Sequence, residues 1–406
     1  MVNDAPISDQ VVNPNLVPPI ADVSHDISIA EVMNLARNAN NILHQIRDKL
    51  LAPHPRKLAP TFSAAKVAEL CGITKPSFVY HLGKGNFPEG TSTGPGKRRD
   101  FTLEEAIQCV QVIKKDRARP EDRRGRIFIV GNFKGGVGKS TTAVAVAQAL
   151  TLRGRKVLLI DSDAQGTATQ LCGFAPEAEI EPSQTLLPAI YEDGFDLTAS
   201  IQKTYWHNLD LIAASPQLYD AEFQIPARVS QDKGYQFWDV LRRGLVPLTK
   251  HYDALVIDTS PSLGYLSLNG LLAADGLLMP SPPEALDFAS SVQFWSLFSD
   301  LAAKLPGVAE KKRYDFISVL PTKVRSAAIT DVVKHWMRSA YGKHMMSLDI
   351  PSSEVPSGAS AKLSTVFDLI KPIGSIEAYR RFKEPMDQLA DYLDDQLVSA
   401  WKRSTE

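Results

Sequence analysis

Cysteine is scarce in this sequence of 406 residues, and the three cysteines present, Cys71, Cys109 and Cys172, lie far apart. Zinc ligands usually come in close pairs along a chain, and a disulfide framework needs more cysteines than this. The spacing therefore indicates neither a zinc site nor a disulfide scaffold. Isolated thiols are typical of proteins in a reducing compartment, so we expect a cytoplasmic protein.

Long apolar runs and a strong net charge are also lacking. No run approaches the roughly 18 apolar residues that a membrane-spanning helix needs, and the N-terminus lacks the layout of a signal peptide, so we expect no membrane partner. The net charge is −1, which excludes a polycationic protein, so contacts with nucleic acid must come from local clusters of charge. The length and the hydrophobic content of 44% are compatible with two or three domains.

Proline separates the N-terminal region from the rest of the chain. Residues 1–25 are proline-rich and follow no apolar pattern, which predicts a mobile arm. Between Ile27 and Leu51, apolar side chains recur at steps of three and four residues, which predicts a helix that ends before Pro53 and Pro55. Its apolar stripe packs either on its own domain or against the same helix of a second copy, and the sequence leaves both open.

Two short helical patterns separated by a glycine follow this helix. Ser63 can cap the first helix and Gly72 can end it. Thr74 can cap the second helix, with Pro76 in its first turn, where proline is favoured. Two short helices joined by such a turn are typical of the helix-turn-helix motif of DNA-binding proteins.

The segment Gly83–Arg99 is rich in glycine and basic residues and resembles the wing of a winged-helix domain. Between Arg56 and Arg126, fifteen Lys and Arg stand against eight Asp and Glu, an excess of +7 in a chain whose total is −1. Such local asymmetry is typical of a surface that binds the phosphates of nucleic acid. The sequence therefore predicts DNA binding by this region.

The second short helix should have one face on its domain and one on DNA. We expect Phe78, Val79 and Leu82 to hold this helix to its domain. The predicted DNA contacts come from the helix and the wing, and they are Ser77, Tyr80, His81, Lys84, Lys97, Arg98 and Arg99.

From Ile127 onward, strand patterns alternate with helical patterns. The predicted strands are Ile127–Val130, Val157–Ile160, Leu209–Ile212, Ala254–Ile257, Gly276–Met279 and Phe316–Val319. Continuous apolar strands suit a mostly parallel sheet covered by helices on both faces, so we predict an α/β fold for this part. The predicted segments are the arm (1–25), the N-terminal helix (26–55), an all-α or winged helix-turn-helix domain (56–125) and the α/β domain (126–406).

A glycine-rich segment, GNFKGGVGKSTT from Gly131, lies between a predicted strand and an alanine-rich helix, which is the setting of a phosphate-binding loop. Lys139 would reach the β- and γ-phosphates, and Ser140 would place its hydroxyl on Mg²⁺. Backbone N–H groups can converge on phosphate oxygens where side chains are missing, at Gly135, Gly136 and Gly138. The sequence thus predicts a P-loop NTPase fold.

Two residues depart from the strict G-x-x-x-x-G-K-[ST] pattern of such loops. Phe133 stands where the first glycine is expected, and a second lysine, Lys134, lies inside the loop.

Aspartates follow two further predicted strands. Asp258 ends a β-branched strand, the Walker B position, from which a carboxylate holds Mg²⁺ through water. Asp161 and Asp163 come directly after the strand Val157–Ile160. Because ligands of open α/β sheets bind at the carboxyl ends of the strands, these aspartates and the phosphate-binding loop predict one site for nucleotide hydrolysis.

Three segments resemble, in order and spacing, the motifs of the ParA/MinD branch of P-loop ATPases: Lys134–Thr141, Leu159–Gly166 and Val256–Pro261. The resemblance covers roughly residues 126–400. The basic helix-turn-helix before it is similar to the longer ParA proteins of plasmid and chromosome partition, which also repress their own operon. MinD-like relatives lack this domain.

This resemblance implies roles for individual residues. Lys134 would reach across a nucleotide-sandwich dimer to the ATP of the partner, Asp163 would orient or activate the attacking water, and Lys139 would complete the catalytic set. Asp161, together with Ser140 and Asp258, would lie near Mg²⁺. The implied contacts of ATP or ADP are Lys134, Gly135, Gly136, Val137, Gly138, Lys139, Ser140, Thr141, Asp161, Asp258 and Pro321.

Segments after the Walker B strand also resemble the family. The segment Leu320–Thr330 resembles one that lies beside the adenine of the nucleotide in the family, and the resemblance implies that Pro321 does so here. It also implies that the basic residues Lys323 and Arg325 contact DNA without sequence preference. Glu284 and Asp287 are candidates for the dimer interface. A basic patch could be extended by Arg338, Lys343, Arg380, Arg381 and Lys383. The last predicted helix, Ile376–Trp401, is amphipathic and should pack on the sheet.

The resemblance implies a DNA-partition ATPase that binds ATP and Mg²⁺, forms a homodimer and then binds DNA non-specifically on the nucleoid. A ParB-type partner would stimulate hydrolysis, and the N-terminal domain would bind the operator as an autorepressor. Two alternatives are a MinD-like membrane-cycling ATPase and a repressor that senses nucleotide without significant hydrolysis. Asp394 and Asp395 disfavour a membrane-binding helix, because anionic lipid would repel them.

Overall fold

The computed structural model describes residues 26–51, 56–92, 99–192, 194–360, 363–369 and 375–403. The predicted arm, residues 1–25, lies outside these ranges. The chain divides into two units, Met1–Pro55 and Arg56–Glu406.

The first unit contains the predicted N-terminal helix, α1, at Ile29–Leu51. The carboxylate of Glu31 caps its start by accepting hydrogen bonds from the backbone N–H of Ser28 (2.7 Å) and from the Ser28 hydroxyl. No residue of α1, all of which is described, is buried. The exposed apolar side chains are Ile29, Val32, Met33, Leu35, Ile42 and Leu43. The predicted helix is confirmed.

The second unit begins with the predicted helix-turn-helix and wing. Its elements are β1 (Phe62–Ser63), α2 (Ala64–Cys71), α3 (Lys75–Gly83), β2 (Thr91–Ser92), β3 (Arg99–Phe101) and α4 (Leu103–Ile113). The strands form an antiparallel sheet in the order β1-β3-β2. Ser63 and Thr74 cap α2 and α3 through hydrogen bonds to their side chains, and Gly72 ends α2 with a φ of 70°.

The face that α3 turns to its domain is narrower than predicted. Phe78 is only 3% exposed and packs on the rings of Phe87 and Phe101, and Leu82 is half-buried. Val79 is 65% exposed, so the expectation that it holds the helix was wrong. Phe78 and Leu82 are four residues apart and share the inner face of the helix, whereas Val79, next to Phe78, points away from it and is exposed like Tyr80.

An α/β region completes the second unit. Its elements are β4 (Arg126–Val130), α5 (Lys139–Thr151), β5 (Val157–Asp161), α6 (Thr167–Leu171), α7 (Leu187–Tyr191), β6 (Gln202–Lys203), β7 (Leu209–Ile212), α8 (Ala221–Gln231), α9 (Val240–Leu245), β8 (Ala254–Asp258), α10 (Tyr265–Ala273), β9 (Gly276–Ser281), α11 (Ala285–Lys304), α12 (Val308–Lys311), β10 (Phe316–Pro321), α13 (Ala328–Tyr341), α14 (Val355–Ser360) and α15 (Ile376–Arg403).

Seven of these strands form one sheet in the order β10-β9-β4-β8-β5-β7-β6. All neighbours in it are parallel except β6 and β7. The α/β fold and all six predicted strands are confirmed. The sequence did not reveal β6, because two residues are too few to carry an apolar pattern.

Helices cover both faces of this sheet. On one face α5 packs with α15, whose apolar side, including Leu389, Leu393 and Leu397, is buried as predicted for the last helix. On the other face lie α10 and α11, with Leu271 and Phe294 in the core. Burial on both sides explains why the strands read as continuous apolar runs.

The winged-helix elements and the α/β region pack into the same unit. Leu103 and Ile107 of α4 are buried in the cluster that contains α5 and α15. Between the two regions, the guanidinium of Arg119 donates to Asp253 (2.9 Å). The division at residues 125 and 126 rests on the sequence and stays a prediction.

A buried charge network holds α15 to the unit. Asp394 accepts hydrogen bonds from Arg155 (2.5 Å) and Arg117 (2.6 Å), while Asp395 pairs only with Arg117 (2.7 Å) among the described residues. The side chain of Asp394 is 4% exposed, whereas that of Asp395 is 63% exposed. Burial favours the neutral carboxyl of Asp394, but the two arginines outweigh it and lower the pKa.

We predict that Asp394→Ala destabilises the protein by about 3 kcal/mol, because it leaves the buried Arg155 unpaired. The matched change Asp395→Ala should cost no more than about 0.5 kcal/mol, because that carboxylate is solvated. Urea unfolding followed by tryptophan fluorescence measures both. Since the pKa of Asp394 is lowered by folding, its contribution is present above about pH 4 and is lost as the pH falls through the folded pKa. Equal costs for the two variants would contradict the buried network.

Candidate active site

The loop between β4 and α5 has the backbone of a phosphate cradle. Gly136 and Gly138 have φ angles of 73° and 94°, in the left-handed region that residues with side chains rarely adopt. A Cβ atom added to Gly136 would meet nothing within 4 Å, so the space beside this residue is open. The two glycines are therefore required by backbone geometry, and the space beside them is available to a ligand.

Hydrogen bonds from neighbouring strand ends fix this loop. The side chain of Asn132 accepts a hydrogen bond from the backbone N–H of Lys134 (3.0 Å) and donates one to the carbonyl of Pro280, near the end of β9 (2.7 Å). The hydroxyl of Thr322 donates to the carbonyl of Val137 (3.1 Å). The sequence reading missed Asn132 and Thr322, because only the folded sheet brings their partners beside the loop.

A cavity of about 660 Å³ lies against the loop. Of the predicted nucleotide contacts, the lining includes Gly135 to Thr141 and omits Lys134, Asp161, Asp258 and Pro321. Pro321 is buried at the end of β10, and the next residue, Thr322, takes part in the wall. The lining residues are Gly135, Gly136, Val137, Gly138, Lys139, Ser140, Thr141, Thr142, Asp163, Gln165, Thr167, Pro261, Thr322, Lys323, Arg325, Ile350, Pro351, Ser352, Ser353, Pro356, Phe382 and Met386.

Asp258 lies at the centre of the strand ends and fits a cation. Its register partners are Val130, directly before the loop, and Asp161. Within the described part of the chain, neither of its buried carboxylate oxygens has a hydrogen-bond partner. Burial raises the pKa of Asp258 well above its ordinary value, the charge of Asp161 adds to this, and Ser140 and Lys139 oppose it. A buried carboxylate without a partner is costly, and Mg²⁺ held with Ser140 would relieve that cost.

Asp161 has its carboxylate oxygens engaged by the chain. One oxygen accepts from the backbone N–H and from the hydroxyl of Thr169 (both 2.8 Å), and the other accepts from the N–H of Asp163 (3.2 Å). Burial raises its pKa to about 6, and these hydrogen bonds oppose the rise. The contacts support a role in shaping the loop around Asp163, and the proximity to Mg²⁺ stays a prediction.

Asp163 and Lys139 belong to the cavity itself. One oxygen of Asp163 accepts from the backbone N–H of Gln165 (3.0 Å), which fixes the side chain at the cavity wall. The ammonium of Lys139 donates to the carbonyl of Lys134 (2.9 Å). Burial lowers the pKa of Lys139, and the charges of Asp258 and Asp163 oppose this. Both side chains are therefore placed to meet phosphate and water.

The two irregular residues of the loop both act on α11, one by packing and the other through its charge. The ring of Phe133 packs on Phe294, with centroids 4.4 Å apart, so this residue anchors the loop to the helix. Lys134 acts electrostatically on Asp287: burial raises the pKa of that carboxyl, and the charges of Lys134 and Lys323 oppose the rise. Lys134 and Asp287 thus lie in one charged neighbourhood outside the cavity.

Among the predicted non-specific DNA contacts, Lys323 and Arg325 are exposed but also line the cavity. Lys323 has a φ of 52°, and the neighbouring N–H of Val324 is held by the carbonyl of Ile350 (3.1 Å). Of the proposed extension, Arg338, Lys343, Arg380 and Arg381 are exposed, whereas Lys383 is half-buried and pairs with Asp387.

The predicted operator-binding residues lie mostly on the outside of the winged helix. Tyr80 and Lys84 are exposed, with the Lys84 ammonium 5.9 Å from the centre of the Tyr80 ring. His81 stacks on Phe87 (5.1 Å), and its ring shares a hydrogen bond with Asn86. The other predicted residues divide as follows: Ser77 is half-buried, Arg99 donates to the carbonyl of Glu89 (2.7 Å), and Lys97 and Arg98 lie outside the described residues.

Comparison with known proteins finds a matching family model and related proteins. A family model described as an AAA domain matches residues 125–306. Protein SopA of Escherichia coli K12 is 28% identical over 357 residues, which cover 86% of this chain and 91% of SopA. Among the described residues, no helix is both long and apolar enough to cross a membrane.

Solved structures share the fold. One described as a partition protein covers 93% of this chain and 99% of its own, with a TM-score of 0.63 and 18% identity, which supports the fold alone. Cobyrinic acid a,c-diamide synthase from Mycobacterium smegmatis, with a bound ATP analogue and magnesium, is 26% identical with a TM-score of 0.51. It covers 66% of this chain and 94% of its own. Homologous structures therefore bind ATP-type nucleotides with magnesium.

We predict that Asp258→Asn stabilises the nucleotide-free protein by about 1–3 kcal/mol at neutral pH and removes the effect of Mg²⁺ on ATP binding. The first result follows because folding disfavours ionisation of the buried Asp258 carboxyl, a cost that the amide does not have, and the second follows from loss of the carboxylate. Because folding raises the pKa of Asp258, the stability of the wild type should fall relative to the variant as the pH rises from about 4.

Thermal melting with and without Mg²⁺ and titration with ATP measure these effects. Asp163→Asn is the matched control, since Asp163 already accepts a hydrogen bond at the cavity wall. This variant should leave the melting temperature nearly unchanged. An Asp258→Asn variant that melts below the wild type and still binds ATP in a Mg²⁺-dependent manner would contradict the assignment.

Proposed function

We propose that this chain, which belongs to the ParA/SopA type of plasmid partition ATPases, hydrolyses ATP only after a second copy has completed its active site. One observation supports this above all. Asp163 lines the cavity, whereas Lys134 is not among the described lining residues, and its charge acts on Asp287 instead. A lysine outside the lining of its own cavity is available to the cavity of a second copy.

Each residue then has a physical task. The backbone N–H groups of Gly135 to Gly138 and the ammonium of Lys139 would bind phosphate oxygens. Mg²⁺, held by Ser140 and Asp258, would supply positive charge that lowers the barrier to phosphoryl transfer. Asp163 would orient the attacking water, and Lys134 of the second copy would stabilise the charge that develops on the phosphate.

We also propose two modes of DNA binding. The exposed outer face of α3, with Tyr80 and Lys84, supports operator recognition and autorepression by the winged helix. The exposed Lys323 and Arg325 support contacts to DNA phosphates in the ATP state, which would hold the dimer on the nucleoid. A ParB-type partner bound to a centromere-like site would stimulate hydrolysis and release the dimer.

Two alternatives have less support. A MinD-like membrane cycle needs a C-terminal helix with an unpartnered apolar face, but α15 buries that face and engages Asp394 with arginines. A repressor that only senses nucleotide would not need Asp163 beside the cavity, so the site supports hydrolysis.

For the N-terminal segment we favour self-association of α1. Its apolar side chains, including Met33 and Leu35, are exposed, and burial of such a stripe against a second copy would be favourable. This self-association is separate from the nucleotide-sandwich contact through Lys134. A chain that starts at residue 56 should therefore keep ATP-dependent dimerisation and lose nucleotide-independent association.

We predict that Lys134→Gln and Asp163→Ala are each nearly inactive alone and that a 1:1 mixture regains activity. In a mixed dimer, the Asp163 of the Lys134→Gln chain meets the Lys134 of the other chain, and one site is intact. Because half of the randomly formed dimers are mixed and each has one working site of two, the rate should reach about one quarter of wild type. Phosphate release under single-turnover conditions is the measurement.

The control is a third variant, Lys139→Ala, which should restore activity in a mixture with Lys134→Gln and none in a mixture with Asp163→Ala, because Lys139 and Asp163 serve the nucleotide of their own chain. If Lys134 acts on its own nucleotide, mixing restores nothing, and the proposal of a shared site fails. Unchanged hydrolysis by Asp163→Ala alone would show that another group positions the water.

We predict that Tyr80→Ala and Lys84→Ala each weaken operator binding by about 1–3 kcal/mol while ATP-dependent binding to random DNA is unchanged. The reason is that both side chains lie on the exposed face of the winged helix. Fluorescence anisotropy with DNA from upstream of the gene and with scrambled DNA, each in ADP and in ATP, separates the two modes. Lys304→Ala, at the exposed end of α11, is the charge-matched control and should alter neither mode. Equal losses on both DNAs would contradict an operator-specific surface.

A further inference from the structure

A buried ion pair joins the start of the winged-helix region to the α/β region. The ammonium of Lys57 contacts a carboxylate oxygen of Asp368 at 2.9 Å, and the two side chains are only 7% and 6% exposed. Burying two charges costs solvation that their attraction barely recovers, so such a pair is weak support for stability alone. Neither residue belongs to the nucleotide cavity or to the predicted DNA surface.

The pair is part of a connected polar network. Asp368 also accepts from the side-chain amide of Gln148 (3.2 Å), from the Tyr205 hydroxyl (2.5 Å) and from the N–H of Thr365 (2.7 Å). The Tyr205 hydroxyl also accepts from Gln148 (2.9 Å), and the Lys57 ammonium lies 4.4 Å from the centre of the Tyr205 ring. Buried networks with every member satisfied are rigid, so a displacement of one member displaces the others.

On one side, this network touches both helices that begin at the nucleotide cavity. Gln148 lies on α5, nine residues after Lys139, which corresponds to about 14 Å along a helix. The Lys57 ammonium donates to the carbonyl of Leu171 (2.8 Å) at the end of α6, and its aliphatic stem packs against Gly173. The helix α6 follows the loop that carries Asp163, and Gln165 and Thr167 of that segment line the cavity.

On the other side, Lys57 leads directly into the winged helix. Five residues later, Phe62 begins β1 and pairs with Phe101 of β3, the strand that closes the wing. Ala59 and Phe62 pack against the buried cluster of α5 and α15, so little slack is left between Lys57 and the winged-helix core.

We propose that Lys57 is a positioning residue through which the nucleotide state of the ATPase site changes the operator affinity of the winged helix. Closure of the phosphate loop and the Asp163 loop on ATP would shift α5 and α6, and the Lys57 ammonium follows because it is hydrogen-bonded to both through Asp368 and Leu171. The inference rests on the operator binding proposed above. It assigns a route to that regulation, with two helices as the moving parts.

The test removes both charges together, by Lys57→Met with Asp368→Asn, so that no buried charge is left unpaired. Tyr205→Phe is a milder second variant, which removes the hydroxyl between Asp368 and Gln148 and keeps the ion pair. The matched control is Arg56→Gln, because Arg56 is the adjacent cation and its side chain, paired with Glu179 (3.7 Å), is exposed. Operator affinity is measured in ADP and in ATP for the full chain, together with the basal rate of ATP hydrolysis.

We expect operator affinity to differ at least about fivefold between ADP and ATP in wild type and in Arg56→Gln. In the double variant the difference should shrink to within about twofold, with an intermediate value for Tyr205→Phe, while basal hydrolysis is unchanged. Hydrogen exchange of α2 and α3 in the two nucleotides gives a second reading that does not depend on the operator. There the nucleotide-dependent difference should also disappear in the double variant.

Retention of the wild-type nucleotide dependence by both variants, in affinity and in exchange, would overturn the inference. Absence of any nucleotide-dependent exchange in the wild type would overturn it as well. A wild type that ignores the operator but shows nucleotide-dependent exchange, lost in the double variant, would refute operator binding and support the route through Lys57.

Discussion

The arrangement of this protein depends on one costly group, the buried carboxylate of Asp258. The parallel strands β4, β8 and β5 place it in register with Val130, which precedes the phosphate loop, and with Asp161. Desolvation and the neighbouring carboxyl both disfavour its charge, and the Ser140 hydroxyl and the charge of Lys139 oppose this only in part. A bound cation would favour its charged form further. The sheet therefore places a carboxyl group that would be stabilised by a cation at the site where Mg²⁺ and phosphates are expected to bind.

The residues that surround this carboxylate divide into those that build the loop and those that face a ligand. Asn132, Thr322 and Asp161 are engaged in hydrogen bonds that fix backbone, whereas Lys139 and Asp163 reach the cavity. Phe133 belongs to the first group, because its ring packs on α11 and anchors the loop there, which a glycine at this position could not do. With the loop anchored beside α11, Lys134 lies near Asp287 rather than in the cavity lining, which agrees with a site shared between two copies.

The winged helix is not an appendage on a flexible tether in this structure. Leu103 and Ile107 of α4 share a buried cluster with α5, and Lys57 reaches Asp368 across the same boundary. Tight packing transmits displacement, because interiors are too dense to absorb it. Under the proposed route, a change at the phosphate loop and a change at the predicted DNA surface are linked through this core, whichever of the two ligands binds first.

The sequence by itself determined the strands, the capped helices, the phosphate loop and the aspartates at the strand ends. These features are local: apolar periodicity, caps such as Ser63 and glycines such as Gly138 act within a few residues. Only the tertiary structure decided that Val79 is exposed, that Asn132 and Thr322 hold the loop, and that Lys57 meets Asp368. Such pairs are distant in sequence and have no periodic pattern. They form because parallel strands and packed helices bring side chains together, and no local propensity records which ones will meet.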